Sequence, residues 1–304
     1  MKANPENLLV ILGDIIDGEV RADRTTRMLY ATDASVYEQH PLGVVWPRNA
    51  TDCVQIVQFA SQHGLSLIPR AAGTSLAGQC VGPGLVVDVS KYMNRVIDID
   101  PGNRTATVEP GVVLDDLNDE LAAHGLIFGP ETSTSNRCNI GGMVGNNSCG
   151  THSIIWGTTR DHTISLDVVL SDGSTASIEP LDGLGLQAKR DQSDLEGVIY
   201  RKVFDTIEAH RATILARYPR PEILRRNTGY ALDTMAHGQP WNADGQQFNL
   251  CRLLCGSEGT LALTTRIKLS LVTLPKHKLI VCVHCDSVAQ SMHATNRAIG
   301  HDPA

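Results

Sequence analysis

Apolar positions along the first two thirds of the chain change period repeatedly. Leu8-Leu9-Val10-Ile11-Leu12 is an unbroken apolar run stopped at once by Gly13 and Asp14. It is too short to span a bilayer and too soon acidic for a secretion leader, so it reads as a core helix opening the fold. From Thr51 to His63, Val54, Val57 and Ala60 recur at helical spacing, with Thr51 placed to cap the helix and Gly64 to end it. Leu65–Ile68 and Leu85–Val89 follow as strands, and Val96–Ile99 and Thr105–Glu109 alternate apolar and polar residues as half-buried strands do. Pro110-Gly111 opens a helix with Leu114, Leu117 and Leu121 on one face and Gly125 as its stop. Leu166–Leu170 runs into Ser171-Asp172-Gly173-Ser174, a strand entering a hairpin turn.

Strands therefore cluster with helices between them, without the regular alternation of a doubly wound sheet, which predicts an α+β fold. Residues 181–249 are more helical and more polar and read as an insertion. Cys251–Val272 returns to strand character. After Pro275 a strand, Leu279–Cys285, and a helix, Asp286–Ile299, begin something new. One strand and one helix cannot bury both their faces, so a further domain is expected beyond them.

The 304 residues are 42% hydrophobic and 19% charged, enough for one large or two moderate domains. A net charge of −7 and only 4% aromatic residues argue against a nucleic-acid surface, which needs a basic stripe and stacking platforms. With neither leader nor spanning segment, the expected location is the cytoplasm. Eight cysteines include the C-x-x-C spacing of Cys282-Val283-His284-Cys285. Residues three apart on a strand face opposite ways, so the expectation is buried thiols with no metal ion and no disulfide.

Three segments carry candidate chemistry. In Ile68-Pro69-Arg70-Ala71-Ala72-Gly73-Thr74-Ser75-Leu76-Ala77-Gly78-Gln79, small side chains and two glycines follow a strand. Successive unobstructed backbone N–H groups in such a turn form a concavity for a diphosphate. Gly73 to Gly78 has the glycine spacing of a P-loop, but Gln79 and Cys80 stand where Lys and Ser/Thr are needed, and no G-x-G-x-x-G fingerprint occurs between a strand and a helix. The second segment, Ser135 to Gly150, holds four glycines and four asparagines in sixteen residues. That composition suits close backbone approach to a flat ligand with amides at its polar edge. The third, Cys255-Gly256-Ser257-Glu258-Gly259-Thr260-Leu261-Ala262, lacks the G-x-S-x-G spacing of a hydrolase elbow.

In their order these segments resemble the FAD-binding domain of the vanillyl-alcohol-oxidase superfamily, the PCMH type. The resemblance runs from about Tyr30 to Pro275. The family's P-x-G-G-G-T-S loop is Pro69-Arg70-Ala71-Ala72-Gly73-Thr74-Ser75. Its T-x-G-G is Asn139-Ile140-Gly141-Gly142, followed by Asn146-Asn147-Ser148-Cys149-Gly150. Its tyrosine-glycine turn is Trp156-Gly157, leading to Arg160-Asp161-His162, and its G-S-E-G-T-L-G is Gly256 to Ala262. Ala71, Ala72 and Asn139 depart from the family pattern. Members with a histidyl-linked flavin carry R-x-G-G-H, and here Thr74 occupies the histidine position, so the resemblance implies non-covalent FAD. It implies cofactor contacts from Pro69 through Ser75, from Gly78, Gln79, Ser135, Cys138, Asn139, Gly141, Gly142, Asn146, Asn147, Ser148 and Ile164, and from Gly256, Ser257, Glu258 and Gly259.

Within the superfamily, Thr32-Asp33-Ala34-Ser35-Val36-Tyr37 and Arg225-Arg226-Asn227-Thr228-Gly229-Tyr230-Ala231-Leu232 resemble the D-2-hydroxyacid dehydrogenase branch, closest to long bacterial proteins that fuse this domain to an iron–sulfur module. The implied reaction passes a hydride from the substrate Cα to flavin N5, with electrons leaving to an acceptor through an iron–sulfur domain. Arg225 or Arg226 is the candidate for the substrate carboxylate, with Tyr230 on the substrate side. No catalytic base is implied here, and His152, His162 and His237 are expected to be structural or exposed. The implied architecture is a helical lead-in over 1–40, a PCMH-type domain over 41–275, and the start of a cap domain over 276–304. The PCMH-type domain comprises a first subdomain over 41–110 and a second over 111–275. An oxidase of alcohols or sugars, and a flavin module without turnover of its own, are the alternatives.

Overall fold

The computed structural model describes residues 5–220, 222–223 and 229–301. Two sheets organise them. The first has the order β1-β2-β4-β3, from Glu19–Arg21, Gly43–Trp46, Leu85–Asp88 and Leu67–Arg70 respectively. β2, β4 and β3 run parallel and β1 antiparallel. β2 and β4 are buried along their whole length because both faces are covered. Val45, Leu85 and Val87 point into a core built with α1 (Pro5–Ile15) and, after α2 (Arg24–Leu29), α3 (Ala50–His63). Val44, Trp46 and Val86 point the other way, against Tyr30, Ile68 and Tyr92. α3 is capped by Asn49, not Thr51: the Asn49 side chain reaches the Asp52 N–H at 2.9 Å. Gly64 ends it in the left-handed region, at φ 63°.

The second sheet is antiparallel, β5-β6-β10-β8-β9, from Val96–Asp100, Thr105–Val108, Leu263–Ser270, Thr163–Val169 and Thr175–Ile178. Leu126–Ile127 (β7) and Val272–Thr273 (β11) make a separate pair. The 96–108 strands, grouped by sequence with the first subdomain, pair instead into this second sheet; the chain changes sheets between Asp88 and Val96. We propose the subdomain boundary there. α4 (Leu114–Ala122) lays Leu114, Leu117 and Leu121 into the second core as its periodicity requires.

Around that core lie α5 (Ile140–Asn146), the single turns α6 (Ser153–Trp156) and α7 (Thr159–His162), and the insertion helices α8 (Gly183–Asp191), α9 (Leu195–Arg217) and α10 (Leu232–Ala236). Cys251–Leu254, expected to be strand, is a one-turn helix, α11, and strand character resumes only at Leu263. Leu279–Cys285, also expected as a strand, pairs with nothing among the described residues. A strand lacking a neighbour to satisfy its backbone groups is not a strand. α12 (Val288–Ile299) buries none of its residues. Among the described residues no helix is long and apolar enough to cross a membrane.

Candidate cofactor cleft

The three candidate segments converge on one cleft of about 540 Å³ between the sheets. The first enters it directly from β3. Pro69 and Arg70 belong to the strand and pair with Val87 and Asp88, which an edge position allows because proline leaves no ladder donor unsatisfied there. The turn that follows is built around Arg70. Its Nη1 donates to the Thr32 carbonyl at 2.8 Å, and the Gly73 carbonyl accepts from the Ala34 N–H at 3.0 Å. Gly73 has φ 66°, and a Cβ there would stand 2.6 Å from the Arg70 guanidinium. The Asp33 neighbourhood thus anchors the loop from outside while Ala71, Ala72, Gly73, Thr74, Ser75 and Gln79 line the cleft.

The second segment supplies α5. Gly141 approaches Pro110 so closely that a Cβ would lie 2.6 Å from the proline Cβ and 2.9 Å from its carbonyl oxygen. Gly142 faces the opposite wall, where a Cβ would stand 3.3 Å from that of Ala71. Asn139, buried at the start of α5, donates from Nδ2 to the Gly111 carbonyl at 2.7 Å while its Oδ1 has no hydrogen-bond partner. An unpaired buried amide oxygen at a cleft wall is costly unless a ligand donor meets it. Cys138, Asn146 and Ser148 also line the cleft.

The third segment is hung on α5: the Gly256 N–H donates to the Val144 carbonyl at 3.0 Å and the Glu258 N–H to Gly145 at 2.9 Å. Ser257, Glu258 and Gly259 line the cleft, and Glu258 sits at φ 53°, a left-handed position unusual for a side-chain-bearing residue. Burial raises its carboxyl pKa, opposed by a hydrogen bond with Gln79. A raised carboxyl favours folding below the ordinary glutamate value and loses that contribution as pH climbs through the raised one. Glu258→Gln is therefore expected to flatten the fall in stability between pH 4 and pH 7, read as the urea midpoint across that range. A variant that retains the wild-type slope would remove Glu258 as its source.

Five expected contact residues lie off the cleft lining. Asn147 is fully buried and turned inward, its Oδ1 accepting the Arg160 N–H at 2.9 Å. Gly256, at φ 93°, leaves room for the Arg160 guanidinium, which a Cβ would meet at 2.7 Å. Gly78 packs against Tyr37, Ser135 ties its carbonyl to the Asp115 N–H, and the Ile164 carbonyl accepts from Asn249. Tyr230 lines nothing in the cleft, and its hydroxyl is 2.8 Å from Thr260 Oγ1. Arg225 and Arg226 lie outside the described residues. His162 is buried with Nε2 2.6 Å from the Trp156 carbonyl.

Sequence reasoning passed over Thr132, Ser133, Thr134 and Cys149, all in the lining. The hydroxyl run Thr132 to Ser135 was its available signal. Arg160, named there only within a motif, received no role; its guanidinium donates to the carbonyls of Arg252 at 3.0 Å and Cys255 at 2.6 Å.

Residues 41–179, which carry the first two walls, match the family described as FAD binding domain. The chain carries an FAD-binding domain of this family. It is 33% identical to D-2-hydroxyglutarate dehydrogenase of Pseudomonas putida, over 98% of this chain and 29% of that protein. It is 35% identical to the Escherichia coli protein of the same name, over 89% of this chain and 26% of the relative. The chain thus spans under a third of these relatives' length. A solved structure of alkyldihydroxyacetonephosphate synthase shares the fold, with a TM-score of 0.60 and 16% identity over 91% of this chain and 42% of that one.

Proposed function

We propose that this chain is the cofactor-binding part of an FAD-dependent dehydrogenase of D-2-hydroxy acids, holding FAD non-covalently in the cleft. The convergence of three separated segments on one cleft carries the reading, and the similarity to the D-2-hydroxyglutarate dehydrogenase of Pseudomonas putida over 98% of the chain supports the substrate class. FAD, when bound, supplies the hydride acceptor. The backbone of Ala71 to Ser75 would face the pyrophosphate, Gly142 lets α5 close against Ala71 at the cleft's edge, and Asn139 Oδ1 offers an acceptor to a ligand N–H. Three thiols line the cleft besides Thr74. Burial pushes the Cys80 thiol up to about 11 and raises Cys138 as well, so neither is a ready thiolate nucleophile at neutral pH.

Arg225 and Arg226 are proposed for the substrate carboxylate. Tyr230 would act there only after leaving its contact with Thr260. Electron exit through an iron–sulfur domain and a cytoplasmic location are part of the same proposal, tested by reconstitution with the full-length protein and by cell fractionation.

The visible spectrum of the purified chain, repeated after acid precipitation, tests the cofactor. A two-banded flavin spectrum released entirely to the supernatant is expected, and flavin retained in the pellet would overturn the non-covalent assignment. Anaerobic addition of D-2-hydroxyglutarate to the full-length protein should bleach the flavin. Bleaching that requires the full-length protein would favour a module without turnover of its own for this chain.

A further inference from the structure

A second pocket, of about 280 Å³, lies behind α11, lined by Met235, His237, Asp244, Gln247, Phe248 and Arg252 among others. It is separate from the cofactor cleft, because α11 forms a wall of each: Leu254 lines the cleft and Arg252 the pocket. Most of its polar groups are already committed. The Thr234 hydroxyl donates to the Ala231 carbonyl at 2.8 Å, and Gln239 Nε2 to the Ala243 carbonyl at 3.2 Å. Asn249 is used at both ends, by the Ile164 carbonyl and the Cys251 N–H, each at 2.9 Å.

The Arg252 guanidinium is different. It is half-buried, and it has neither an ion-pair nor a hydrogen-bond partner among the described residues. Its neighbour on the inner side is another guanidinium, that of buried Arg160, which hydrogen-bonds the Arg252 carbonyl and sends no charge compensation outward. Asp161 and Asp233 act on Arg160, and the carboxylate on the pocket side is Asp244, exposed at the rim. The His237 side chain, exposed at the rim, also has no partner among the described residues.

The pocket is preformed. The turn from His237 to Gln247 is tied by the Gln239 N–H to the Gln246 carbonyl at 2.9 Å and by Asn242 Nδ2 to the His237 carbonyl at 3.1 Å. Met235 and Phe248, both buried, give it an apolar floor.

We propose that this pocket binds a small organic carboxylate, with Arg252 forking the carboxyl group and His237 beside it. A free guanidinium fits a planar carboxylate through two parallel N–H donors. The apolar floor takes a short carbon skeleton, which inorganic phosphate lacks. The volume is near the lower end for ligand pockets and suits an acid of a few carbons rather than a nucleotide. The inference does not depend on what occupies the cofactor cleft.

Isothermal titration of the purified chain with succinate, and separately with inorganic phosphate, tests it, with and without added FAD. Saturable one-to-one succinate binding is expected in both states. Arg252→Met should weaken it by about tenfold, the equivalent of one charge-assisted contact. Asp244→Asn should tighten it by about threefold by removing the one like charge at the rim. An unchanged melting temperature and flavin content show that a variant is folded. If Arg252→Met does not fold, Arg252→Lys and the opposite-signed Asp244→Asn carry the test. No saturable heat, or an affinity indifferent to the substitutions, would overturn the site. Phosphate bound as tightly as succinate would overturn the carboxylate assignment.

Discussion

Gly142→Leu is expected to lower FAD affinity by about a hundredfold, while the stability of the apoprotein changes much less, with its sign set by whether Ala71 can give by a few tenths of an ångström. The two effects separate because Gly142 lies in the interior of α5 yet faces the open cleft. Replacing glycine within a helix gains up to about 1 kcal/mol of helix propensity. On the cleft side, even a Cβ would come within 3.3 Å of Ala71 Cβ on the opposite wall. The rest of an isobutyl group has to project from that contact into the open cleft, and overpacking of that kind against a bound ligand costs about 3 kcal/mol, or about a hundredfold in affinity. FAD titration by fluorescence quenching and thermal melts of the apoprotein read the two quantities independently. Full flavin content in this variant would mean that the cofactor does not lie beside Gly142. A lost fold would instead mean that Gly142 serves packing.

Arg160→Met should destabilise the chain by about 3 kcal/mol. Arg160 is buried, and its guanidinium satisfies the carbonyls of Arg252 and Cys255, which have no other donor positioned by α11's single turn. Hydrogen bonds from a charged donor contribute about 1.5–3 kcal/mol each. Removing a buried charge gives part of that back, since burial already disfavours the charged guanidinium and lowers its pKa. Arg160→Lys should not restore the loss, because a single ammonium cannot reproduce a fork directed at two carbonyls. Cofactor affinity should fall with stability, since Ser257 to Gly259 continue from the segment Arg160 holds. Urea midpoints for both variants decide the matter. A lysine variant with wild-type stability would show that charge, not the fork, is what the site requires.

Much of the cofactor cleft was legible because its requirements are local. A loop that exposes successive N–H groups needs small side chains, and Ala71 to Ser75 supplies them around Gly73. A helix that must approach Pro110 and the cleft must present Gly141 and Gly142 in succession. Asn139 and Ser148, which the family resemblance implies as contacts, do line the cleft. Asn147 was assigned to the same lining by the same reasoning and lies behind it. Adjacent residues at a left-handed helix end point in divergent directions, and only the φ of 54° at Asn147 decides which of them faces the ligand. Thr132 to Thr134 escaped because hydroxyl residues in a loop suit many environments equally. The role of Arg160 escaped because its partners, residues 252 and 255, are 92 and 95 positions away.

The sequence by itself determined the α+β class, the period and faces of α3 and α4, and the three segments able to meet a dinucleotide. Each depends on interactions within a few residues, which spacing records. Only the tertiary structure decided that the strands at 96–108 join the second sheet and that Cys251–Leu254 coils into a turn. The same holds for Leu279–Cys285, which finds no partner strand among the described residues. These outcomes rest on which distant backbone is present to pair, and a pattern of apolar positions states that a strand wants a partner without stating which one. The pocket at Arg252 belongs to the same category. A lone arginine in the sequence is a surface residue by default, and its unmatched charge appears only when the fold brings Arg160 to its back and leaves its front open.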